Sequence, residues 1–452
     1  MSLEIFQRRA AVAAGAAAFA LLLAACGTAE ADEVDAAATV EADAHDDHDD
    51  HDHEAEGHDD HDQEAEEQAA VKVEMPTQTP RLVLTYDGGL VVLDANSLEV
   101  EADLALDGFN RIKPVGDDRH VAVSTAGGFA IVDAGTWTWA HGDHFHYYTT
   151  QPQLTDVLVE ADVPGHVVAH DGFTAFFDDG TGEVTIVETS EWVDMVEHGH
   201  LHVIRDYTAD EAHHGVAIPT AAGELMVTIG DADGRTGAML LDADGETIVS
   251  SDRCPGVHGE TAFTTAGGED LLMVGCEDGV LVFHGDHIHK VASGLEYART
   301  GNLFSVDGSD VVLGDRKTDP AQGIGLNEVV LVNAETEVIT VVDPFEGADA
   351  EYTWRGLARG DKGEALVLGT DGALRVLDEN TGEVLRTIDV TAAWDVPEAW
   401  QTPHPALTVL AGMAYVTEPS TGTVHIVDYV GGAVWKSVEV GVEMNEMVGV
   451  SG

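Results

Sequence analysis

The feature that most constrains this chain is a recurring group of short β-rich runs punctuated by Gly and Asp. In Val163–Val187 three such runs lie between the turn pairs Asp171-Gly172, Asp179-Gly180 and Thr181-Gly182, and His166 stands where the first run begins. Alternating apolar and polar residues, with turn signals roughly every eight to ten positions, predict an antiparallel meander rather than helices.

The rest of the chain repeats the pattern. Arg81–Leu106 supplies three strands, and further groups begin near Asn110, His166, His213, His258, Asn302, Arg355 and His404. A period of about forty to fifty residues with four strands per group predicts an all-β fold, a β-propeller of radially arranged four-stranded sheets. The first group lacks an inner strand, while Met447–Val450 is an orphan strand at the C-terminus. The economical expectation is that it completes the first blade and closes the ring without an open edge. Eight blades are expected, with seven as the alternative.

Three spans follow: 1–26 as a leader, 27–79 as a tail, and 80–452 as the propeller. Arg8 and Arg9 precede an apolar run, Ala10–Leu23, too short to span a bilayer comfortably, which predicts a secretory signal. It ends in Leu23-Ala24-Ala25-Cys26-Gly27, which resembles a bacterial lipoprotein box and implies lipidation at Cys26. An extracytoplasmic protein is expected, held to the outer face of the cytoplasmic membrane by its lipid alone. The tail has no pattern that could bury a core and is expected to be disordered. His45, His48, His51, His53, His58 and His61 lie there among carboxylates, a composition suited to loose, fast capture of a borderline cation. The absence of Cys from it favours zinc, with nickel or copper as alternatives.

With 84 acidic against 20 basic residues the formal charge is −64, which excludes a nucleic-acid partner and anionic membrane surfaces. A monomer is expected.

The same register locates a candidate site. Residues entering each innermost strand of a propeller line one mouth of its channel, and those positions hold His166, His213, His214, His258 and His404. Neutral imidazoles converging on one mouth form a natural zinc site of three or four ligands, with His166, His214 and His258 expected to dominate. His170 shares a strand face with His166 by parity, as a deeper or supporting residue. A second set consists of His141, His144 and His146, then His198, His200 and His202, then His284, His287 and His289. In extended strands their i, i+2 pairs would make two-nitrogen clips. His144 and His146 form the best auxiliary pair, on a loop expected to reach the same mouth. Cys254 and Cys276 remain as an even pair in an oxidising compartment, a disulfide that would tether the His258 loop; two thiolate ligands are the alternative.

The segments HFHYY, PGHVVAHDG with FDDGTGEV, HHGVAIP, CPGVHGE and GCEDGVLV together resemble the AztD family of zinc metallochaperones. That resemblance implies a propeller that binds Zn2+ and passes it to the solute-binding protein of a zinc ABC importer, and it implies no enzymatic activity. A metal-dependent propeller enzyme of the lactonase or lyase kind and a zinc-buffering surface lipoprotein are the alternatives.

Overall fold

The computed structural model describes residues 71–452. The leader, Cys26 and the six tail histidines lie outside the described residues. Among those described, eight four-stranded sheets and one three-stranded sheet account for nearly all regular structure. The innermost strands of the second to eighth sheets are Arg111–Pro114, Pro164–His170, Ala217–Pro219, His258–Thr264, Leu303–Phe304, Leu357–Arg359 and Leu407–Leu410. They start within a few residues of the positions expected from the repeats.

In the first sheet the innermost strand is the C-terminal one. Met444–Val450 pairs antiparallel with Arg81–Tyr86, from Arg81 opposite Val450 to Tyr86 opposite Met444. The last strand of the chain therefore completes a sheet begun by Arg81–Tyr86, near the start of the described residues.

Burial follows from the stacking. Arg81–Tyr86 is buried on both faces, as a strand with a neighbouring sheet on each side must be. Its even positions Leu82 and Leu84 pack toward the eighth sheet, against Tyr415 and Ile426, while Val83 packs toward the second, against Val121 and Val132. Each consecutive pair of sheets encloses a core of this kind. The outermost strand Ala433–Glu439, paired on one edge only, instead alternates exposed and half-buried residues, one face turned to solvent. The arrangement is propeller-like.

Two expectations are corrected. The stretch assigned to the tail as far as Thr79 carries a strand, Val73–Met75, which pairs with His144–Thr149 in the three-stranded sheet. Its short alternation was hidden by the acidic context. The His198–His202 run is not a strand: helix Trp192–His198 ends on Gly199 in the left-handed conformation, and a loop follows. Trp192 anchors that helix, fully buried, with its indole N–H donating to Thr174 Oγ1 at 3.1 Å. The i, i+2 clip at His200 and His202 fails with the strand that it required.

Candidate metal centre

His166, His214 and His258 come from three consecutive sheets and meet. One ring nitrogen from each lies within 4.8 Å of the other two. His166 Nε2 and His214 Nε2 are 3.3 Å apart, the separation of about 3.3–3.4 Å that two nitrogens take on one tetrahedral zinc ion at about 2.0–2.1 Å.

Local irregularity aims two of these rings. The ladder between Pro164–His170 and its partner slips by one residue between Pro164 and Val167, which places His166 in a bulge. A second slip between His258 and Glu260 makes Gly259 the extra residue, at φ +74°. A Cβ there would meet Gly301 O at 2.6 Å, so only glycine allows this approach. Bulges re-aim side chains next to sites. The third histidine, His214, lies in the connection that enters Ala217–Pro219.

The other ring nitrogens are all occupied. His166 Nδ1–H donates to Glu260 Oε1 at 3.1 Å, His214 Nδ1–H to Asp179 Oδ2 at 2.5 Å, and His258 Nδ1–H to the Gly301 carbonyl at 2.6 Å. Asp179 also accepts from the Gly215 amide at 3.2 Å, and the Gly301 amide is itself held by buried Asp315 at 2.5 Å. Donation at Nδ1 fixes the tautomer and leaves the Nε2 lone pair for a metal. Three neutral Nε2 lone pairs facing one point repel one another unless a cation sits between them.

Electrostatics agree. Burial, reinforced by the neighbouring His166 charge, lowers the His258 imidazole to about 3, so its ring is neutral at any ordinary pH. Burial pushes the Glu260 carboxyl up, but the charge and hydrogen bond of His166, with Lys113, outweigh it and hold it at about 2. The site opens beside a cavity of about 470 Å³ among the innermost strands, lined by Lys113, His166, His258, Asn302, Trp354 and Glu446 among others.

Not every histidine of the register belongs. His213 is buried, donates from Nδ1 to the Glu211 carbonyl at 2.8 Å and accepts at Nε2 from Thr228 at 3.0 Å, while Thr228 Oγ1 also receives the Val216 amide. His404 repeats the first bond, Nδ1 to the Thr402 carbonyl at 2.7 Å, and the Ala406 amide reaches Thr417 Oγ1. Both are strand-entry braces, their rings turned into the protein among Phe177 or Trp354 and Trp394. Entry position alone does not separate a brace from a ligand; the direction of the ring does. His170 does not join the group gathered around His166; its Nε2 lies 3.4 Å from Asp171 Oδ2 instead.

His144 and His146 do not add ligands to the mouth. With His141 they make a separate group on the hairpin Thr136–His141/His144–Thr149, again with one nitrogen each within 4.8 Å. His144 Nε2 and His146 Nε2 are 3.1 Å apart, and His146 Nδ1–H donates to Glu74 Oε1 at 2.7 Å. His284 and His287 face each other across the corresponding turn, and His289 pairs with Glu337 at 2.9 Å. They gather no third ligand among the described residues.

Cys254 and Cys276 form a disulfide, Cα atoms 4.9 Å apart and 22 residues apart in sequence. A loop of this length is worth about 3 kcal/mol in chain entropy, and it ties the segment just before His258 to the strand beside it. Sequence reasoning missed Asp179, Glu260 and the Gly301 carbonyl, the groups that orient the ligands. Glu260 was within reach, two residues after His258; Asp179 looked like turn chemistry alone.

The fold and the site together define a propeller-like all-β protein with three converging histidines whose nitrogens lie within reach of one metal ion. No family model matches the chain. Over 320 residues, 67% of this chain and 69% of the relative, it is 26% identical to the zinc chaperone AztD of Citrobacter koseri. The crystal structure of Citrobacter koseri AztD aligns with a TM-score of 0.70 at 21% identity, covering 83% of this chain and 99% of that one. Apo AztD from the same organism gives 0.68 at 20% identity, over 83% and 98%. The chain is thus similar to AztD in both sequence and fold, and that relative is named a zinc chaperone.

Proposed function

We propose that this protein is an extracytoplasmic zinc chaperone that holds Zn2+ as cargo on His166, His214 and His258 and hands it to the solute-binding protein of a zinc ABC importer. The observation that carries this is the arrangement of the three rings, each with Nδ1 bonded away and Nε2 turned to one point. Three protein ligands leave a fourth position open, the pattern of sites that exchange what they bind rather than of closed structural sites. An incoming ligand takes the open position, and the histidines then leave one at a time, each held throughout by the Nδ1 hydrogen bond that orients it.

The group at His141, His144 and His146 is proposed as a second, looser site. The tail histidines His45, His48, His51, His53, His58 and His61 are proposed as the first point of capture, and Cys26 as the lipid attachment that keeps the chain near its importer. We also read the eight sheets as blades of one ring closed by the C-terminal strand, supported by its pairing with Arg81–Tyr86 and by the shared core of the first and eighth sheets.

The test is direct transfer. Zinc-loaded protein mixed with the metal-free solute-binding protein should transfer its ion in the presence of a chelator that traps free zinc. Transfer that vanishes when the chelator is present would mean release into solution and would reject the hand-over.

A further inference from the structure

The cavity among the innermost strands reverses the charge balance of the chain. Acidic residues outnumber basic ones 84 to 20 overall, whereas the charged side chains lining the cavity are three bases, Arg111, Lys113 and Arg355, and two acids, Glu260 and Glu446. The rest of the lining is neutral, with an apolar wall that includes Val167, Leu357 and Val448.

Both acids are already engaged. Glu446 Oε1 accepts from Arg111 Nε at 3.0 Å and lies 3.7 Å from a terminal nitrogen of Arg355, while its Oε2 accepts from the Ile112 amide at 3.2 Å. Glu260 Oε1 accepts from His166 Nδ1 at 3.1 Å. Two guanidinium groups thus converge on one carboxylate oxygen.

Lys113 adds to that surplus. It stands two residues after Arg111 in the strand Arg111–Pro114, so the two side chains share a face about 7 Å apart along the strand. Lys113 is exposed and makes no ion pair or side-chain hydrogen bond among the described residues. Arg355 holds a second unfilled donor. Its side chain is only 3% exposed, and its terminal nitrogens donate to Asn445 Oδ1 and the Trp400 carbonyl, but Nε has no partner. A buried N–H without an acceptor is costly, and an acceptor entering the cavity would relieve it.

We infer that this cavity binds a small organic carboxylate, its anionic head between Lys113 and Arg355 and its apolar body against the innermost strands. Counting all five charges, the lining carries a surplus of one positive charge, which a single carboxylate balances. The volume of about 470 Å³ suits a ligand of that class. This site is independent of the zinc hand-over reading, because no bound metal takes part in it.

The experiment titrates the metal-free full chain by calorimetry, above the pH range in which histidine charges. The probes are benzoate, its uncharged counterpart benzamide, and inorganic phosphate, an anion with no apolar body. Benzoate is expected to bind once per chain, with benzamide and phosphate at least about tenfold weaker. Lys113→Gln should weaken benzoate about tenfold, and Lys113→Arg should bring it back to within about threefold; the exposed position of Lys113 lets both variants fold. Equal binding of benzoate and benzamide would make the cavity merely apolar, and equal binding of benzoate and phosphate would make it a bare group of cations. Either result overturns the proposal, as does an absence of benzoate binding or a Lys113→Gln variant that binds benzoate as before.

Discussion

The mouth and the hairpin put the same chemistry into different surroundings. Each gathers three imidazoles with nitrogens inside the same 4.8 Å limit, but the mouth ligands are all half-buried while His141 and His144 are exposed. At the mouth every Nδ1 has a partner contributed by a different segment, Glu260, Asp179 and Gly301. At the hairpin the partner that comes from outside the strand pair is Glu74, on a three-residue strand. Proximity of ligands is therefore not what separates the two. The mouth holds its rings through hydrogen bonds from separate segments, whereas two of the three hairpin rings are exposed, so fixing them on an ion costs more side-chain entropy, about 0.5–2 kcal/mol per ring, and lowers affinity accordingly.

The largest expected contrast comes from removing a ligand. His258→Ala should weaken the tight zinc site at least about a hundredfold, while His144→Ala leaves that site unchanged and abolishes only a weaker binding event. Titration against a chelator of known affinity reads both; equal losses in the two variants would erase the distinction.

Next in size are the orienting groups. Asp179→Asn and Glu260→Gln keep the ligands but disturb Nδ1, and each should lower affinity about 10- to 100-fold. Glu74→Gln, tested in the same titration on the hairpin, should do less, because Glu74 is itself exposed and water can take its place at the His146 ring.

The smallest effect ties the mouth to the fold. The folded imidazoles of His258 and His404 sit at about 3 and about 4, in each case through burial first, below the free value of about 6.5. Between those values the unfolded chain binds protons that the folded chain refuses, so stability is lost as pH falls below about 6.5. Glu260, held at about 2, adds to the loss below its ordinary range near 4.5. From pH 7 to 5 each histidine should cost up to about 2 kcal/mol. Thermal unfolding of the zinc-free protein should show the decline, and His404→Gln should flatten it without changing zinc affinity. A pH-independent midpoint would remove this link.

Sequence by itself determined the repeat and the strand-entry positions, and it singled out the three histidines that the structure brings together, His166, His214 and His258. Period-two alternation and turn dipeptides are local properties, written in adjacent residues, and radial stacking then brings equivalent positions together. It also carried the Cys254–Cys276 pair, because both cysteines fall within one meander. What only the tertiary structure decided is which way each ring turns. His213 and His214 are neighbours in sequence, yet one braces a strand against Thr228 and the other faces the site. The bulges at His166 and Gly259, the acceptors Asp179 and Glu260, and the strand carrying Glu74 arise from contacts between distant segments. Packing sets those directions, and a one-residue slip in a ladder reverses a side chain without leaving a mark in the residues around it.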